Sequence, residues 1–63
     1  MLEINKKKFN ILIVDDDIIN TKFTKIILEK NGYCCLVAYN SREAFAIIGN
    51  EKIDLILLDI TMP

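Results

Sequence analysis

The 63 residues allow at most one small domain, and a domain near that size buries only about 60% of the surface its unfolded chain exposes. With 52% hydrophobic and 27% charged residues the composition is that of a globular chain, and no apolar run approaches the ~18 residues of a membrane span. Eight Lys and Arg against nine Asp and Glu give a net charge of −1, without the basic footprint that nucleic acid would require.

Residues 1–8 read as a polar tail, with Lys6, Lys7 and Lys8 as a solvated run ahead of the first strand. They carry neither the long apolar core nor the small-residue cleavage site of a secretory signal, so a cytoplasmic chain that touches no membrane is expected. The folded unit is expected over 9–63.

A first strand is predicted from Phe9 to Val14, an apolar run too short for a helix and without the alternation of a half-buried strand. Asp15, Asp16 and Asp17 follow as a loop and helix cap. From Ile18 to Asn31 the apolar Ile19, Phe23, Ile26 and Ile27 recur at i, i+4, i+7 and i+8, with Lys22, Lys25, Glu29 and Lys30 on the other face. That spacing predicts an amphipathic helix, capped by Asp16 or Asp17 and followed by Gly32 in the left-handed region.

A second strand is predicted from about Tyr33 to Ala38. Its adjacent Cys34 and Cys35 point to opposite faces and cannot form an ordinary bridge; with no His and no second cysteine pair there is no zinc spacing either. Asn40 and Glu43 have a capping-box-like spacing, and Ala44, Phe45, Ile47 and Ile48 form the apolar face of a shorter helix ending at Gly49 and Asn50. The third strand, Leu55 to Leu58, is again uninterrupted apolar sequence and reads as buried on both faces. Asp54, ahead of it, is expected to be a solvated loop residue.

The order β-α-β-α-β with short connections calls for an α/β fold with a doubly wound parallel sheet. With one helix on each face the strand order becomes 2-1-3, and the first and third strands end side by side at a topological switch point. Asp15, Asp16 and Asp59 are then expected to converge there. Carboxylates in one crevice repel one another unless protonated or neutralised by a cation, and hard oxygen ligands suit Mg²⁺ with a phosphoryl partner. The plainer alternative is that Asp15 to Asp17 only cap the helix, which leaves Asp59 unexplained.

Ile-Leu-Ile-Val-Asp-Asp-Asp at 11–17 with Asn20, Asn-Ser-Arg-Glu-Ala at 40–44, and Asp-Leu-Ile-Leu-Leu-Asp-Ile-Thr-Met-Pro at 54–63 resemble the receiver domain of two-component response regulators. The resemblance implies a flavodoxin-like fold and phosphorelay signalling without enzyme status. It makes Asp59 the acceptor of a phosphoryl group from a histidine kinase or phosphotransfer protein. By the same resemblance, Mg²⁺ is held directly by Asp16, Asp59 and the backbone carbonyl of Thr61, with Asp15 acting through water.

Against the family pattern of five βα units, the chain is expected to be a receiver truncated after its third strand. It lacks the hydroxyl and lysine of the fourth and fifth strands, and Ser41 stands where glycine is frequent. A nucleotide-binding loop is excluded because Gly32 and Gly49 sit at helix ends, and an aspartate-nucleophile phosphatase would want an acid at Thr61. The rival reading is a receiver remnant that binds partners without switching. The uncharged third strand, at an edge of the sheet, is expected to self-associate.

Overall fold

The computed structural model describes residues 9–58; the 1–8 tail, Asp59 and Thr61 lie outside the described residues. The elements are β1 (Asn10–Val14), α1 (Ile18–Lys30), β2 (Cys34–Ala38), α2 (Ser41–Asn50) and β3 (Leu55–Leu58). They form one parallel sheet in the order β2-β1-β3, as the alternation of elements predicts.

Alternate residues of the central strand build two half-cores. Ile11 and Ile13 pack with Cys35, Val37 and Leu28 of α1. Leu12 and Val14 pack with Ala38 and Ala44, joined by Leu36, Ile47 and Ile53, on the α2 side. One helix therefore covers each face, which is the arrangement that places β1 in the middle.

Local signals fix the helix ends. Asp17, not Asp16, caps α1: its backbone is extended and its Oδ1 accepts from Asn20 N at 3.1 Å. At the far end Gly32 adopts φ 92°, while Gly32 N donates to Glu29 O at 3.1 Å and Tyr33 N to Leu28 O at 3.2 Å. These bonds satisfy carbonyls the helix leaves orphaned. Asn40 caps α2, accepting from Glu43 N at 2.9 Å. Glu43 reaches back to Tyr39 N at 2.7 Å, one residue earlier than an ideal capping box.

Three sequence expectations are corrected. The stripe expected to bury α1 is exposed, with Ile19 at 80%, Phe23 at 66%, Ile26 at 55% and Ile27 at 47%. Buried Thr21 and the half-buried Thr24, Lys25 and Leu28 face inward instead, at i, i+3, i+4 and i+7. Thr21 tolerates burial because its hydroxyl donates to Ile18 O at 2.8 Å, so no polar group is left unpaired. The second correction concerns β3, whose four residues are all exposed because both helices lie over β1 and β2 and neither packs on β3. Third, Asp54 is half-buried and hydrogen-bonded to Asn10, so it is not a solvated loop residue. The cysteines behave as strand alternation requires: both are free, with Cys34 exposed and Cys35 buried.

Candidate functional site

The site begins where β1 runs out. Asp15 N donates to Ala38 O at 3.1 Å, extending the bonding between β1 and β2 by one residue before the chain turns into α1. That turn draws the Asp15 side chain inward, and the residue is only 4% exposed. A buried carboxylate needs donors, and it has two. Oδ1 accepts from Asp17 N at 3.0 Å, and Oδ2 accepts from the Asn20 side-chain Nδ2 at 2.7 Å.

The three consecutive acids thus have three environments. Asp15 is buried and doubly bonded, Asp16 is exposed, and Asp17 is exposed and spends its carboxylate on the helix cap. Capping accounts for Asp17 alone.

Beside Asp15 lies an open depression of about 250 Å³, lined by Ile13, Val14, Asp15, Asn20, Thr24, Leu57 and Leu58. The end of β3 reaches it because Ile13 pairs with Leu57 and Val14 with Leu58 in the parallel register. The strand ends that precede Asp15 and Asp59 in the sequence are therefore neighbours. Asp59 and Thr61 themselves lie outside the described residues, and among the described residues no group of three potential metal ligands occurs. Asn20 has no role in the sequence reading beyond its place in a motif. The signal that could have found it is a side chain with an amide donor one turn into the helix, in reach of a carboxylate buried ahead of the cap.

The family model of the response regulator receiver domain matches residues 11–63. The chain belongs to the response regulator receiver domain family. Similar curated proteins include the phosphate regulon transcriptional regulatory protein PhoB of Pseudomonas aeruginosa, 47% identical over 53 residues that make up 84% of this chain and 23% of that protein. The two-component response regulator ARR22 of Arabidopsis thaliana is 39% identical over 64 residues, covering 98% of this chain and 45% of its own length. Hybrid signal transduction histidine kinase F of Dictyostelium discoideum is 42% identical over 53 residues, 84% of this chain and 5% of that protein. The chain thus spans less than half the length of each of these relatives. No solved structure matches it significantly.

Receiver domains are the signalling modules of two-component phosphorelays, not enzymes of the usual kind. The β2-β1-β3 sheet with a helix on each face is the flavodoxin-like arrangement of that family. No helix among the described residues is long and apolar enough to cross a membrane.

Proposed function

We propose that this receiver segment accepts a phosphoryl group on Asp59 from the phosphohistidine of a histidine kinase or phosphotransfer protein, in a cytoplasmic phosphorelay and without contact to nucleic acid or membrane. The observation that carries the proposal is the β1–β3 register, in which Val14 pairs with Leu58, so that the two strands end side by side immediately before Asp15 and Asp59 in the sequence. Family membership over 11–63 supports the same assignment.

In the proposed step a carboxylate oxygen of Asp59 attacks phosphorus. The new P–O bond forms as the P–N bond breaks, and the imidazole leaves with the electron pair. The covalent work of this step falls to that one carboxylate, so what the rest of the site supplies is positioning and charge.

Receiver domains generally bind Mg²⁺ at the phosphorylation site, and the residues described here fit that ion. Asp15 and Asp16 are consecutive hard oxygen donors, one buried and held by two hydrogen bonds, the other exposed to solvent. In the proposal Asp16, Asp59 and the Thr61 carbonyl ligate the ion directly, and Asp15 acts through water. When bound, the ion neutralises the acids and the incoming phosphoryl oxygens.

The test combines two measurements on the 63-residue chain. Mg²⁺ titration of Asp16→Asn and Asp59→Asn should show weakened binding, and unchanged affinity in both would remove the proposed site. A labelled phosphohistidine donor should label Asp59 alone. Transfer should be slow, because the 63 residues include no counterpart of the later-strand lysine and hydroxyl that would steady the phosphoryl oxygens. Undiminished label in Asp59→Ala would show the acceptor to be misassigned. The exposed apolar β3 favours one second reading, a receiver segment that binds partners without switching. Mg²⁺ binding without any phosphate incorporation would select it.

A further inference from the structure

We infer that Asn20 is a positioning residue for the acid site: its carboxamide holds the Asp15 carboxylate in the orientation that Asp15 and Asp16 need to receive a divalent cation. This assignment rests on the phosphoacceptor reading above and adds to it a residue that touches neither the cation nor the phosphoryl group.

Asn20 stands on the first turn of α1 and is itself exposed, so its side chain has water available as a partner. It turns inward instead. The Nδ2–Oδ2 distance of 2.7 Å is at the short end of the range for an N–H···O bond. The other oxygen of Asp15 is held from a second direction by Asp17 N at 3.0 Å. Two donors at different points fix both the plane and the rotation of a carboxylate, where one would leave it free to swing.

Asn20 is in turn held by its own backbone, since Asn20 N donates to Asp17 Oδ1 at 3.1 Å. Asp15, Asp17 and Asn20 thus close a ring of hydrogen bonds, and the helix cap and the acid site share one scaffold. The residue type matters. A carboxylate at position 20 would oppose Asp15, and an aliphatic side chain would leave Oδ2 without its donor. Asn20 also lines the same depression as Asp15 and the end of β3, which places it beside the proposed chemistry rather than in a remote turn. Groups that orient a ligand without touching the metal commonly govern its affinity.

Asn20→Leu keeps the bulk and removes the donor, and leucine is the better helix former, so a merely structural role predicts little loss of affinity beyond any change in folding. Mg²⁺ affinity should be measured by calorimetry on the wild-type chain, Asn20→Leu, Asn20→Ala, Asn20→Gln and Asp16→Asn, with thermal melting of each followed by circular dichroism. Positioning predicts Mg²⁺ binding weakened on the order of tenfold in the leucine and alanine forms, by more than any accompanying fall in melting temperature accounts for, and partly restored by glutamine. The Asn20 side-chain ¹⁵NH₂ signal should also shift on Mg²⁺ addition. Wild-type affinity in Asn20→Leu or Asn20→Ala, alongside weakened binding in Asp16→Asn, would overturn the role of Asn20 and leave the cation site standing. Affinity that falls only in step with melting temperature, without recovery by glutamine, would also overturn it. Should Asp16→Asn bind as the wild type does, the cation site falls and the role of Asn20 falls with it.

Discussion

Asn10 and Asp54 hold each other by two backbone-anchored bonds: Asn10 N donates to Asp54 Oδ2 at 2.8 Å, and Asp54 N donates to Asn10 O at 2.9 Å. The Asn10 side chain adds a third bond, from Nδ2 to Lys52 O at 2.7 Å. These contacts fasten the start of β3 to the start of β1 at the edge opposite Asp15. The clamp and the β1–β3 pairing agree on one register, and that register brings Leu57 and Leu58 to the depression beside Asp15. Asp54→Ala is expected to cost about 1–2 kcal/mol, the loss of a hydrogen bond to a charged acceptor at a half-buried site. That corresponds to a melting temperature lower by roughly 4–15 °C in a domain this small. Thermal denaturation checks it, and Asp54→Asn, which keeps a side-chain oxygen acceptor, should lie between the two.

The strands and their order are legible in the sequence because short apolar runs bounded by Asp, Gly and Asn have few other readings, and two-sided burial of Ile11 to Val14 demands a helix on each face. The acid edge follows from the same logic, since Asp15 must leave the sheet where β1 ends. What periodicity leaves open is which face of a helix the sheet takes. In α1 the apolar stripe and the buried face are different sets of residues, and only the packing of Leu28 against β1 and β2, with Thr21 buried on the same face, decides between them. Asp54 and Asn20 are hidden for another reason. Each acts through a hydrogen bond to a residue distant in sequence or across a cap, and a polar residue in a loop or on a first turn carries no mark of its partner.

The cap of α2 offers a second check on local energetics. Asn40 Oδ1 accepts from Glu43 N, and Glu43 Oε1 accepts from Tyr39 N, so one side-chain pair satisfies two backbone donors at this helix start. Asn40→Ala should destabilise the chain by about 1 kcal/mol, with Asn40→Asp near neutral because aspartate is an equally good cap. Urea denaturation curves decide it, read as a shift in midpoint at constant slope.

The cysteines give a pH-dependent prediction. Burial, with smaller contributions from Glu29 and Cys34, pushes the Cys35 thiol above its ordinary 9.0. In the unfolded chain that thiol ionises nearer its ordinary value, so between the two values the native state binds more protons than the unfolded one. Stability contributed here is fully present below the unfolded pKa and declines as pH rises beyond it. Replacing Cys35 with Ala removes this component, so the loss of stability between about pH 8 and pH 10 should be shallower in Cys35→Ala than in the wild type. An equal slope in both would rule the thiol out as its source. At pH 8 iodoacetamide should modify exposed Cys34 first and reach Cys35 at a rate set by unfolding.

The exposed third strand bears on how the 63-residue chain behaves in solution. Leu55 to Leu58 are 36% to 62% exposed, lie on both faces of an edge strand, and include no charge, proline or bulge of the kind that blunts such edges. By register, Leu55 and Leu57 continue the Ile11 and Ile13 face, while Ile56 and Leu58 continue the Leu12 and Val14 face. Fully burying one such side chain is worth about 1.5–3 kcal/mol, so covering even two of them rivals the whole stability of a small domain. We therefore expect the chain to be weakly folded alone or to self-associate by pairing third strands across a two-fold axis. Sedimentation at micromolar concentration together with circular dichroism tests this, and a stable, cooperative monomer of full helix content would contradict it. Ile56→Lys places a charge on the edge away from the depression beside Asp15, and it should lower the association constant if β3 is the interface. Unchanged association in that variant would place the contact on another surface, where Ile19, Phe23 and Ile26 of α1 and Phe45 of α2 are also exposed.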